Sequence, residues 1–148
     1  MEHCLFLSTE EFDAESLAIR LQTECAWSHV GFLRLADDWT FSAMADGKGV
    51  AWRAPNPKAK VLKLSGANIE EALKRALTQE AKPYDKLDIV GLALGANFES
   101  KGSFICSTLV AWSFEQIGAP LLNPTFIPRE HITPRDILLS PFVAELKT

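Results

Sequence analysis

Between His29 and Arg53 the chain offers three short apolar stretches separated only by turn chemistry. His29-Val30-Gly31-Phe32-Leu33-Arg34-Leu35 reads as a strand ended by Asp37-Asp38, and Trp39 to Ala45 reads as a second. Asp46-Gly47-Lys48-Gly49 is a turn, and Val50 to Arg53 is a third strand. Strands joined by turns this short pair antiparallel, because a parallel partner needs a crossover of about a dozen residues or more. Pro55-Asn56-Pro57 is then a loop, and Val61-Leu62-Lys63-Leu64 a further short strand.

Helical periodicity flanks this run. Ile69, Ala72, Leu73, Ala76 and Leu77 fall at i, i+3, i+4, i+7 and i+8 and predict a helix from Ile69 to about Ala81. Asn68 is its expected cap, with Glu71 where a capping box wants a glutamate. Glu70–Lys74 and Glu71–Arg75 are i,i+4 pairs expected on its wet face. An earlier helix is expected from about Asp13 to Gln22, with Ala14, Leu17, Ala18 and Leu21 on one stripe. Leu87 to Leu94 reads equally as a short helix or a buried strand, and Gly95 to Gly102 as a polar loop. A last helix starts near Ile105 or Cys106 and ends before Gly118, a good C′ glycine. Pro120, Pro124, Pro128 and Pro134 predict an extended surface tail with a turn at Thr133-Pro134-Arg135-Asp136. The class is α+β: a small antiparallel sheet of about four to six strands with the Cys106 helix on one face.

A chain of 148 residues, 47% hydrophobic and 23% charged, suits one domain over residues 1–148 and argues against disorder. The net charge is -4 and no Lys/Arg-rich run occurs, which disfavours nucleic acid and anionic membrane surfaces as partners. Residues 1–8 carry an apolar core too short for a secretion signal, and no stretch is long enough to span a bilayer, so a cytoplasmic protein is expected. Three cysteines, Cys4, Cys25 and Cys106, form neither a disulfide framework nor a zinc spacing. Free thiols are expected, without metal or cofactor.

Cys106 stands in the first turn of the last helix. Unpaired backbone N–H groups and the positive end of the helix dipole favour a thiolate there, and the same N–H groups can hold an oxyanion. Its other reading is a plain buried core cysteine. A thiolate nucleophile needs an imidazole oriented by a third group. Of the three histidines, His3 sits in a terminus expected to fray and His131 in the proline-rich tail, expected to be solvated. His29, at the start of a strand, is either the base or a structural histidine. Cys25 follows a helix, the wrong end for dipole activation, and reads as structural. Trp27, Trp39, Trp52 and Trp112 read as core or groove-lining aromatics.

Several segments together carry a resemblance. They are Ala18-Ile19-Arg20, Thr23, Trp27-Ser28-His29-Val30-Gly31, Phe41-Ser42-Ala43, Gly47-Lys48-Gly49-Val50, Tyr84-Asp85, Cys106-Ser107-Thr108-Leu109-Val110 and Thr133-Pro134-Arg135-Asp136-Ile137-Leu138, with Ser140-Pro141. In this order they resemble the permuted NlpC-type papain-like cysteine peptidase and amidase superfamily, a branch similar to the lecithin–retinol acyltransferase group. Histidine before cysteine is the mark of the permuted order. The resemblance implies a circularly permuted papain-like fold, Cys106 as nucleophile and His29 as general base and acid. The third polar group, commonly Glu or His in the family, falls at or next to Ser42. A serine hydroxyl accepts from the imidazole but brings no charge to stabilise imidazolium, so Glu or His in its place is expected to serve at least as well. Tyr84 and Ser107 stand as substrate or oxyanion contacts, and Tyr84 also reads as a packing residue.

The reaction this implies is acyl transfer from an amide, ester or thioester through an acyl-Cys106 intermediate. The first reading is a peptidase or amidase on short peptides, including cell-wall peptides, of bacterial or phage type. Its rivals are a lipid-directed thioesterase or acyltransferase, and a peptide- or lipid-binding module of the same fold without turnover, motivated by Ser42. The partner expected is a small peptide or acyl substrate.

Overall fold

The computed structural model describes residues 1–9, 27–44, 46–83, 105–123, 125–127 and 129–147. The expected helix at 13–22, the apolar segment at 87–94, the loop at 95–102, Cys25 and Tyr84 lie outside them. Among the described residues the strands are β1 (His3–Ser8), β2 (His29–Arg34), β3 (Thr40–Met44), β4 (Gly49–Arg53), β5 (Val61–Gly66) and β6 (Val143–Glu145). They form one six-stranded sheet in the order β4-β3-β2-β1-β5-β6, antiparallel at every pairing. The α+β class is as expected, and β2, β3 and β4 are the meander read from the sequence.

β1, a central strand, corrects the expectation of a frayed terminus. It runs from His3 opposite Arg34 to Ser8 opposite His29, and on its other side pairs Leu5 with Leu64 and Ser8 with Val61. Leu5 and Leu7 join the main core, while Cys4 and Phe6 form a second cluster with Leu33 on the other face. A strand covered on both faces reads as a continuous apolar run rather than an alternating one. His3 is held: its N–H donates to Glu70 Oε1 at 2.8 Å, and its Nδ1 lies 2.7 Å from Glu70 Oε2.

That contact rearranges the helix behind it, α1 (Ile69–Leu77), which buries Ile69, Ala72, Leu73 and Ala76. Glu70 turns to His3 instead of Lys74, and Lys74 pairs with Glu71 at 3.1 Å. Asn68 is left-handed at φ 66 and makes no side-chain cap bond. The helix stops short of Ala81, whose own φ is 70.

α2 (Cys106–Gln116) lies on the main-core face of the sheet. Phe114 stacks on Phe32 with centroids 6.4 Å apart, and Leu109 and Val110 are fully buried. The helix closes as predicted, with Gly118 at φ 72 and Ala119 N–H returning to Phe114 O at 3.0 Å. The tail is more structured than an extended wrap. It holds a 3-10 turn at Arg129–His131, a short helix α3 (Pro134–Leu138) and β6 at the sheet edge. Pro134 fits the first helical turn, where its missing N–H costs nothing, and Thr133 caps it by accepting from Asp136 N–H.

The connection from β4 to β5 covers part of the sheet. β4 is an edge strand and β5 lies beyond β3, β2 and β1, so residues 54–60 must cross the sheet. Four strand spacings of about 4.8 Å make roughly 19 Å, within reach of eight peptide steps of about 3.3–3.6 Å. This strap lines a cavity with Phe6, His29 and Leu33, so it crosses the face opposite α2. Its far end is tied to the end of β1 by Thr9 N–H to Lys60 O and Lys60 N–H to Thr9 Oγ1, both 3.1 Å.

Candidate active site

Cys106 is the first residue of α2. The residue before it, Ile105, has no polar side chain to cap the helix, and the first turn carries no acidic residue. The other two α-helices among the described residues differ: α1 has Glu70 and Glu71 in its first turn, and α3 has Asp136. The positive end of α2 therefore falls unneutralised by any acid of its own on the Cys106 thiol. Thr108 folds back on the Ile105 main chain, its Oγ1 accepting from Ile105 N–H at 3.0 Å and lying 3.1 Å from Ile105 O. The Cys106 sulfur lies 4.0 Å from the carbonyl oxygen of Ser28, the residue before His29. The fold thus brings the thiol to the backbone at the start of β2 on the α2 face of the sheet, while the His29 ring, on the same face of the strand as Gly31 and Leu33, lies on the strap face.

His29 is 5% exposed. Its Nε2 lies 2.9 Å from the Oγ of Ser42, a residue with no exposure at all. Ser42 sits where the third polar group was expected. Phe6 lies against the imidazole, ring centroids 5.6 Å apart and tilted by 58°. Gly31 makes this arrangement sterically feasible: a Cβ on it would stand 2.7 Å from Ser42 Cβ, 2.8 Å from Phe41 O and 2.9 Å from Phe6 Cε1. The glycine two residues after the histidine shares its face of the strand. Its missing side chain is the space that Ser42 and Phe6 occupy.

Behind Ser42 the β3–β4 hairpin is clamped by Arg53. The guanidinium donates to Ser42 O at 2.7 Å, Gly49 O at 2.6 Å and Ala51 O at 3.1 Å. It also grips both oxygens of Asp46, at 2.6 and 2.8 Å. The guanidinium holds the Asp46 carboxyl down to about 2. Arg53 and Phe6 are not among the site residues expected from the sequence. Alternation places Phe6 on a face but does not show which strand lies beside it.

The cavity under the strap measures about 320 Å³. Its floor is Phe6, Ser8, His29 and Leu33, and its roof comes from Pro55, Asn56, Pro57 and Ala59. Ser8 is 2% exposed and stands opposite His29 in the β1–β2 register. Its Oγ has no hydrogen-bond partner among the described residues.

The remaining candidates fall elsewhere. Ser107, expected to contact substrate or oxyanion, is fully buried and its hydroxyl donates to Ile132 O at 2.6 Å. That bond fixes the tail to α2, so only the Ser107 backbone N–H can serve an oxyanion. His131 is exposed, as expected. Burial pushes the Cys4 thiol up to about 11, against the opposing pull of Lys63. Trp52 packs on Phe41 and under Arg34, whose guanidinium carbon is 5.0 Å from the ring, while Trp39 is 39% exposed. Glu2, His3 and Glu70 gather ligand-type atoms within 4.8 Å of one another. They sit at the far end of β1 from Ser8 and His29. No described helix is long and apolar enough to cross a membrane.

No family model and no curated protein matches this sequence. Among solved structures, the chain is similar to the metalloprotein yiiX of Escherichia coli O157:H7, labelled DUF1105. The TM-score is 0.69 at 16% identity, over 99% of this chain and 96% of that one. The likeness is one of fold.

Proposed function

We propose that this protein is a cysteine hydrolase of amidase type that transfers an acyl group to water through Cys106. One observation carries the reading. The thiol of Cys106, at an uncapped helix start, lies against the residue before a histidine whose Nε2 is held by Ser42. The ring opens on the strap face of the sheet and the thiol on the α2 face, so the two meet around the start of β2 at Ser28, and with Nε2 engaged proton exchange with the thiol falls to Nδ1. His29 takes the thiol proton, and the thiolate adds to the carbonyl carbon of an amide, ester or thioester. Backbone N–H groups of the first turn of α2 hold the oxyanion. The C–N, C–O or C–S bond then breaks, and the leaving group takes the proton from His29. Water, deprotonated by the same imidazole, adds to the acyl-Cys106 thioester and releases the acid and the free thiol. Ser42 keeps the ring aligned but adds no charge, so the imidazolium depends on the thiolate for its stabilisation.

The similar fold's description as a metalloprotein raises a metal as a second chemistry. The described residues with ligand-type atoms close together do not fit one. Glu70 Oε1 accepts from the His3 and Glu2 N–H groups, and Oε2 lies 2.7 Å from His3 Nδ1, so the two side chains that would share a metal are bonded to each other instead. No step of the reaction is routed through a metal.

The test is covalent. Incubation with p-nitrophenyl acetate should give an acetylated protein whose adduct maps to Cys106 and is absent in Cys106→Ser. His29→Ala should acylate more slowly by about 10²-fold or more, the ordinary contribution of a general base. An adduct confined to other residues, or none on the wild type, removes the proposal and leaves the non-catalytic module of the same fold.

A further inference from the structure

We propose that Arg53 and Asp46 are positioning residues for His29: together they hold Ser42 on the imidazole and set the pH at which the ring takes up its proton. The inference rests on the cysteine-hydrolase reading for its effect on rate, while the titration of the ring is read without Cys106.

Arg53 is the starting point, because a cation this well buried needs a reason. Its side chain is 10% exposed, and it stands opposite Thr40 in the β3–β4 register. Thr40 and Ser42 share one face of β3, so Arg53 lies on the face that carries the His29 ring, and both residues line the same cavity. Its Nε and Nη2 hold the Asp46 carboxylate. Nη1 donates to Ser42 O and Ala51 O, and Nη2 also donates to Gly49 O. All five N–H donors of a guanidinium are thereby placed. A lysine has three donors on one nitrogen and cannot reproduce the fork. Two bonds then run in series through one residue: Arg53 to Ser42 O at 2.7 Å, and Ser42 Oγ to His29 Nε2 at 2.9 Å. Pinning the Ser42 backbone fixes where its hydroxyl meets the ring.

The second consequence is electrostatic. Two hydrogen bonds and one serine separate the guanidinium from the imidazole, a span of about 10 Å at most, comparable with the Debye length in about 0.1 M salt. Unbalanced, that cation would oppose an imidazolium. Asp46 balances it. The guanidinium holds its carboxyl down to about 2, so the carboxylate stays charged across the range in which a histidine titrates. Lys48 N–H, 3.0 Å from Asp46 Oδ1, keeps it in place independently of Arg53.

The other charged groups on this wall are already matched. Asp38 of the β2–β3 turn and Lys63 of β5 pair with each other at 2.9 Å. β1 faces the ring with Phe6 and Ser8, which carry no charge, and α2 brings Cys106 to the backbone at Ser28. A serine in the third place supplies no charge of its own. A neutralised Arg53 lets it serve there, because the imidazolium then meets no opposing cation.

The test reads the ring directly. The His29 imidazole is titrated by NMR in Cys106→Ala, alone and combined with Asp46→Asn, Arg53→Gln or Arg53→Lys. Acetylation of Cys106 by p-nitrophenyl acetate is followed against pH in the same three variants with the cysteine present, and thermal melts establish that each is folded. Asp46→Asn leaves the cation unbalanced and should lower the pH of half-protonation by about half a unit to one unit. Arg53→Gln leaves the Asp46 carboxylate on Lys48 N–H and should raise it by a similar amount. Arg53→Lys keeps the charge and loses the fork, so the titration should stay in place while acetylation slows about two- to tenfold. A residue that only supports the fold would not move the titration in opposite directions. If Arg53→Gln fails to fold, Asp46→Asn and Arg53→Lys decide. An unmoved titration in folded Asp46→Asn overturns the inference, as do shifts of one sign in Asp46→Asn and Arg53→Gln. Acetylation of Arg53→Lys at the wild-type rate also overturns it. Acetylation of Cys106 with every titration unmoved sinks the charge pair alone. Opposite shifts around an inert Cys106 sink the hydrolase reading and keep the pair.

Discussion

The imidazole of His29 is positioned by three residues that act differently. Ser42 holds Nε2, Phe6 packs against the ring, and Gly31 leaves room for both. Ser42→Ala removes one neutral hydrogen bond, about 0.5–1.5 kcal/mol, and should lower ester turnover about two- to tenfold with little change in melting temperature. The expectation that Glu or His serves equally at this place meets a steric obstacle. Ser42 has no exposure, and its Cβ would touch any side chain carbon on Gly31. Ser42→Glu should therefore unfold or inactivate the protein. Gly31→Ala presses on the Phe41 backbone as well as on two side chains, and overpacking of this kind costs about 1–3 kcal/mol. Thermal melts with steady-state rates check all three, and an active, stable Ser42→Glu variant would contradict the geometry. The pairing of His29 with Ser42 was legible through the resemblance of their motifs. The reason for Gly31 was not, because it depends on a neighbour across the sheet.

At the level of elements, the hairpin β3–β4 presents Ser42, and Arg53 locks it. Asp46 anchors that lock, with its carboxyl held from 3.8 down to about 2 by the guanidinium. A carboxyl lowered on folding stabilises the native state above its unfolded value, and that stability fades as pH falls through the folded one. Asp46 is 35% exposed, so solvent screening trims its contribution to about 1 kcal/mol. Asp46→Asn should lose that amount at neutral pH and lose less than the wild type between pH 4 and pH 2. Urea midpoints at pH 6 and pH 3 measure it, and parallel losses in the two proteins would assign acid sensitivity elsewhere. The meander β2–β3–β4, α2 and its Gly118 stop were readable from turn residues and periodicity. β1 was hidden because both its faces are covered. Glu70 was misassigned to the wet face because only the fold reveals that β1 delivers His3 beside it.

Across the whole molecule, burial alone does not separate the two described thiols. Cys4 is 0% exposed and Cys106 is 1%. Their settings do separate them. Cys4 lies on β1, with β2 and β5 on either side, so a reagent reaches it only when the sheet opens. Its thiol, pushed up to about 11, stays protonated at any ordinary pH. Cys106 lies at a helix start and at the end of β2, against the residue before His29. If it is the nucleophile, iodoacetamide should alkylate it quickly near pH 6, where ordinary thiols are almost wholly protonated. His29→Ala should remove most of that advantage and leave only the part due to the helix dipole. Low concentrations of urea should accelerate Cys4 steeply, in step with global unfolding, and leave Cys106 nearly unchanged. Peptide-resolved mass spectrometry keeps the third thiol, Cys25, apart from both. A Cys106 that follows Cys4 in both its pH profile and its urea dependence would be a core cysteine. Cys106 would then serve packing alone, and the cysteine-hydrolase reading would lose its nucleophile.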